Sequence, residues 1–76
     1  MARYRITDFK YLHNEDEITQ EEYIDYLISD AKSCNEKISK VAAKKIIAED
    51  RLTAYERGNQ EFYLSDGSIL SIVKNI

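Results

Sequence analysis

The order of apolar and polar positions divides the chain into short elements. Residues 3–11 alternate as a strand does, with Tyr4 and Ile6 on one parity and Phe9 and Tyr11 on the other. A bulge near Thr7 or Asp8 would bring all four to one face. Residues 13–17 are polar and read as a loop. Helical spacing follows, with Ile24, Leu27, Ile28 and Ala31 on one stripe. Thr19 and Glu22 stand as a capping box at its start, and Ile18 and Tyr23 as a hydrophobic staple. Glu21 and Glu22 also suit the positive end of the helix dipole. The segment from Ser33 to Glu36 interrupts this pattern. Ser33 with Glu36 offers a second capping box, and Asn35 an alternative cap. Ile38, Val41, Ala42 and Ile46 then predict a second helix near residues 36–50. After Asp50 the period falls to two, predicting strands at residues 52–57, 60–65 and 68–74. Gly58-Asn59 and Asp66-Gly67 are the connections, both favoured in two-residue hairpin loops. A rival reading carries the second helix on to Gly58 as its cap.

These elements predict one α+β domain over residues 1–76 in the order β-α-α-β-β-β, a small antiparallel sheet with two helices packed on one face. Two-residue loops would place Tyr55 opposite Phe62, Phe62 opposite Ser71 and Leu64 opposite Ile69. Phe62, Leu64, Ile69 and Val73 then form the core face. Leu52, Ala54, Tyr63, Leu70 and Ile72 form the other face, an apolar patch of the kind that marks an interaction surface. The alternative is that the N-terminal strand, a loop or Ile76 covers it. This register also sets Glu56 against Glu61, an unfavourable like-charge pair.

Composition narrows the function. A chain of 76 residues supports one modest core. It has no Pro and two Gly, with ample aromatic bulk, which argues against disorder. A net charge of −3 argues against a surface that grips nucleic acid throughout. No apolar run is long enough for a membrane span. Cys34 is the sole cysteine; it continues the stripe of the first helix and reads as a buried structural thiol in a reducing cytoplasm.

His13, Glu15, Asp16 and Glu17 form the only histidine–carboxylate cluster, but adjacent loop residues seldom converge on a metal, and a solvated acidic loop is the expectation. His13 has no evident nucleophile to serve, and nothing in the sequence brings Cys34 to it. Gly58 and Gly67 are both turn residues, which leaves no phosphate-binding loop. The chain therefore reads as non-enzymatic, without cofactor or metal.

Charge is segregated. Glu15, Asp16, Glu17, Glu21, Glu22, Asp25 and Asp30 follow one another with no Lys or Arg between them, whereas Lys32, Lys37, Lys40, Lys44 and Lys45 come next with Glu36 as the lone acid. The acidic half, with Tyr23 and Tyr26 beside it, reads as a surface that docks in a basic groove of another protein and mimics phosphate there. The exposed sheet residues Tyr63, Leu70 and Ile72 are a second candidate contact. Lys37, Lys40 and Lys44 carry the alternative: helix, turn, helix and hairpin also describe a winged-helix DNA-binding regulator. The acidic hairpin tip at Glu56 and Glu61 weighs against that, as does the lack of base-reading side chains on the lysine stripe.

In length, in the acidic run from Glu15 to Asp30 with Tyr23 and Tyr26, and in lacking a catalytic set, the chain resembles the small inhibitors that phages make against host defences, the anti-CRISPR proteins among them. The resemblance is one of general character and has no motif. It implies stoichiometric inhibition of a nucleic-acid-handling complex, in the cytoplasm of a bacterial host. A second copy of the chain is a further candidate partner.

Overall fold

The computed structural model describes residues 5–75, apart from the side chain of Ile6. Arg3, Tyr4 and Ile76, three positions of the sequence reading, lie outside the described residues. Where a bulge was expected, a 3-10 turn at Ile6–Asp8 leads into β1 (Phe9–His13). The Asp8 carboxylate accepts from the Arg5 backbone N–H at 2.7 Å and closes that turn. Residues 13–17 are not a loop. Asn14 and Glu15 take φ of 50° and 73° and turn the chain into β2 (Asp16–Ile18). Two positive φ values at the centre match a turn whose twist suits a hairpin.

The first helix, α1 (Gln20–Ser33), starts as the sequence predicts. The Thr19 hydroxyl accepts from the Glu22 N–H at 3.1 Å, and the Glu22 carboxylate accepts from the Thr19 N–H at 3.0 Å. Its end is different from the expectation. Asn35, φ 61°, is no N-cap but the left-handed residue that terminates α1. The Glu36 N–H donates to Ala31 at 2.8 Å and the Asn35 N–H to Lys32 at 3.1 Å, the paired bonds of a Schellman stop. Cys34 sits at this cap and is exposed, not buried.

The second helix, α2 (Lys40–Arg57), is capped by Ser39, whose hydroxyl accepts from the Ala42 N–H at 3.1 Å. It begins later than expected, and it takes in residues 52–57, which are helix rather than strand. Ala43, Ile47 and Ala54 are its buried residues. Their separations of four and seven keep them on one helical face, whereas Leu52 is 46% exposed. Gly58, φ 91°, stops the helix, its N–H donating to Ala54. Tyr55 does not pair with Phe62; it lies under the Lys74 ammonium, 4.5 Å from the ring centre.

Two further strands, β3 (Asn59–Tyr63) and β4 (Ile69–Lys74), complete an antiparallel sheet in the order β2-β1-β4-β3. The class is the predicted one, α+β with both helices on one face, although the chain order is β-β-α-α-β-β. The register between β3 and β4 is corrected by one residue: Phe62 pairs with Leu70, and Tyr63 with Ile69. The loop holds three residues, Ser65, Asp66 and Gly67. The Leu64 N–H reaches Ser68 at 2.9 Å, and Gly67 at φ 89° absorbs the extra residue. Asp66 accepts from both the hydroxyl and the N–H of Ser68, and these bonds hold its carboxyl below the usual range.

A one-residue shift exchanges the two faces of a strand. Leu70 and Ile72 are therefore completely buried. With Phe9 and Tyr11 of β1 they meet Tyr23, Ile24 and Leu27 of α1 and Ala43, Ile47 and Ala54 of α2. Ile69 and Val73, expected in the core, lie on the open face. Among the described residues no helix is long and apolar enough to cross a membrane.

Candidate interaction surfaces

The acidic surface is built from the β1–β2 hairpin and the first half of α1. Glu15 occupies the hairpin turn, and Asp16 and Glu17 lie on β2; all three are exposed. Asp16, opposite His13, shares the helix side of the sheet with α1, whereas Glu17, opposite Leu12, stands on the open face, and Glu15 lines a recess there with Glu61, Ile69 and Ser71. Thr19 then sets the helix, and Glu21, Glu22 and Asp25 stand on its exposed side. Glu22 also belongs to the cap, so its carboxylate is fixed by one backbone bond. Hairpin and helix are joined by a contact that the sequence reading missed: the rings of His13 and Tyr26 stack, 4.1 Å between centres and 20° from parallel. Asn14 as a turn former before Glu15 was the signal available for that hairpin. Glu22, Asp25, Tyr26 and Ser29 line a recess of about 320 Å³ beside the stack.

Tyr23 does not belong to this surface. It is fully buried, edge-on to Tyr11 at 5.7 Å. The phenol is held far above its ordinary ionisation range, first by burial and then by the nearby Asp50 carboxylate. Asp50 is itself raised, by burial and then by Glu49. Beside them the Arg51 guanidinium donates to the Tyr11 hydroxyl at 3.3 Å and to Gln20 at 3.5 Å. This polar seam ties α2 to β1 and the start of α1.

The second predicted contact is divided by the register. Tyr63 is 68% exposed, whereas Leu70 and Ile72 are core. The open face of the sheet instead carries Tyr63 with half-buried Leu12, Ile69 and Val73. Lys10, Glu17, Asn59, Glu61 and Ser71 stand on the same face, so of the predicted apolar patch only Tyr63 is there, on a face of mixed polarity. Of the lysines, Lys40 and Lys44 are exposed one turn apart at the start of α2, while Lys37 precedes the helix. The predicted recognition stripe is thus divided between loop and helix.

The far end of α1 is fastened to the β3–β4 loop. The Asp30 carboxylate accepts from the Ser65 N–H at 2.8 Å and from its hydroxyl at 2.6 Å. Asp30 therefore serves the fold rather than the acidic surface. Among the described residues, no group of His, Cys, Asp and Glu side chains is arranged to hold a metal ion. No protein-family model, curated protein or solved structure matches the chain, so a functional reading rests on these surfaces.

Proposed function

We propose that this chain is a non-catalytic binding protein that docks its acidic hairpin and α1 surface onto a basic, nucleic-acid-binding groove of another protein. It acts there as a small inhibitor of a host defence complex, in a bacterial cytoplasm. The observation that carries the reading is the exposure of Asp16, Glu21, Glu22 and Asp25 on one side of the adjoining hairpin and helix, with Glu15 and Glu17 extending the acidic field around the hairpin to the open face. The capped helix and the tight hairpin fix the backbone that carries these carboxylates, so the ordering cost of docking falls on the side chains alone. Like charges kept close together raise the association rate with a basic partner. Tyr26 supplies an aromatic edge within the acidic field.

The test uses proteins of a bacterial lysate that bind heparin, hence those with basic grooves. The chain should retain a protein from this fraction that added DNA displaces. The variant Glu21→Lys, Glu22→Lys, Asp25→Lys should retain none. Capture that DNA does not compete, or that survives the triple reversal, would overturn the reading. A direct DNA-binding assay decides the alternative: salt-sensitive binding abolished by reversing Lys37, Lys40 and Lys44 to Glu would make the chain a DNA-binding regulator.

A further inference from the structure

The two edges of the sheet are different. β2 spans Asp16–Ile18 and follows Glu15, so it is short and acidic, two common protections of an edge. β3 spans Asn59–Tyr63 and has β4 as its only strand neighbour among the described residues, with α2 packed on its helix side. It carries no Pro and no Lys. Its hydrogen-bonding direction follows from two ladder bonds. The Lys74 N–H donates to Gly58 at 3.1 Å, and the Leu64 N–H to Ser68 at 2.9 Å. Backbone groups alternate in direction along an antiparallel strand. Gln60 and Phe62 therefore bond inward to β4, and the N–H and C=O of Asn59, Glu61 and Tyr63 point outward. All three of these residues are exposed.

We propose that β3 is a homodimer seam, at which two copies pair their β3 edges antiparallel about a two-fold axis and form one eight-stranded sheet. The occupant is a second copy because the strand offers a self-complementary register. Pairing Glu61 with Glu61 would oppose like charges. A shift of two residues keeps both faces aligned and sets Phe62 against Phe62 on the axis, with Glu61 opposite Tyr63 on either side. The Phe62 pair lies on the helix face, where Phe62 already lines a hollow of about 170 Å³ with Leu27, Ile38 and Ile46, whose lining also includes Asp30 and Glu36. Tyr63, 68% exposed, gains a neighbour across the seam. β2 lies at the opposite edge of the sheet, so a dimer keeps that strand at each far end, while Glu15 of the hairpin turn shares an open-face recess with Glu61.

Sedimentation of the full chain from micromolar to near-millimolar concentration should show a monomer–dimer equilibrium. Amide exchange at Glu61 and Tyr63 should slow as dimer forms, while Gln60 and Phe62 are protected at every concentration. Glu61→Pro removes an outward donor and leaves the bonds to β4 intact, so it should give a folded monomer. In a Cys34→Ser background, Phe62→Cys should cross-link copies on oxidation and Glu61→Cys should not, since residues facing one another on the axis are within disulfide reach. A chain that is monomeric throughout the range overturns the proposal. So does a dimer in which the Glu61 and Tyr63 amides exchange freely. Cross-linking by Glu61→Cys in place of Phe62→Cys overturns the register.

Discussion

Truncating Leu70 and its neighbour Ile69 separately tests which face of β4 is core. Leu70 is completely buried between the sheet and the helices. Leu70→Ala removes three buried carbon groups at about 0.8 kcal/mol each, or about 2.4 kcal/mol of transfer energy. The void left behind raises the total to roughly 3–4 kcal/mol. A domain of 76 residues has a stability of about 4–11 kcal/mol at ordinary per-residue values. The substitution should therefore remove roughly a quarter or more of it and lower Tm by roughly 12–32 °C. Ile69→Ala acts on the open face, where the side chain is half-buried beside Tyr63, and should cost about 1 kcal/mol. Urea melts at low micromolar concentration, each fitted with a common slope, measure both. A small loss at Leu70 with a large one at Ile69 would restore the two-residue loop and refute the three-residue turn at Ser65, Asp66 and Gly67.

Thr19→Ala removes the oxygen that accepts from Glu22 and should cost about 1 kcal/mol in the same melt, with Thr19→Ser restoring most of it. Gly58→Ala should destabilise by about 1–2 kcal/mol although an added Cβ meets nothing within 4 Å, because φ of 91° alone is unfavourable for an L side chain. Burial raises the Asp50 carboxyl above its ordinary value, so the folded state binds that proton more tightly than the unfolded state. The ionised form destabilises the fold at neutral pH, and this penalty fades as pH falls through the folded value toward the ordinary carboxylate range. Asp50→Asn should accordingly raise the urea midpoint at neutral pH, by an amount that shrinks on acidification; a constant difference across that interval would place the effect elsewhere.

Local signals legible in the sequence were those satisfied within a few residues. Thr19 and Glu22 close a capping box by themselves, so the start of α1 needs no tertiary partner. The segregation of acids from lysines, the apolar stripe of α1 and the α+β class could be read in the same way. Stops and registers could not. Asn35 suits an N-cap as well as a left-handed C-terminal residue, and the choice fell to the Schellman bonds to Ala31 and Lys32. Residues 52–57 carry both a two-residue and a helical pattern. Burying Ala54 with Ala43 and Ile47 against the sheet decided for the helix. Asp66-Gly67 signals a hairpin but does not count its loop. One extra residue, admitted because Gly67 accepts a positive φ and Asp66 bonds to Ser68, moved Leu70 and Ile72 inward and Ile69 and Val73 outward. Strand parity is a collective property, set by which whole face the helices can cover. Tyr23 went to the core and Tyr26 to the acidic surface for the same reason. Both flank the stripe in sequence, and only packing on β1 determined which ring meets Tyr11 and which stacks on His13.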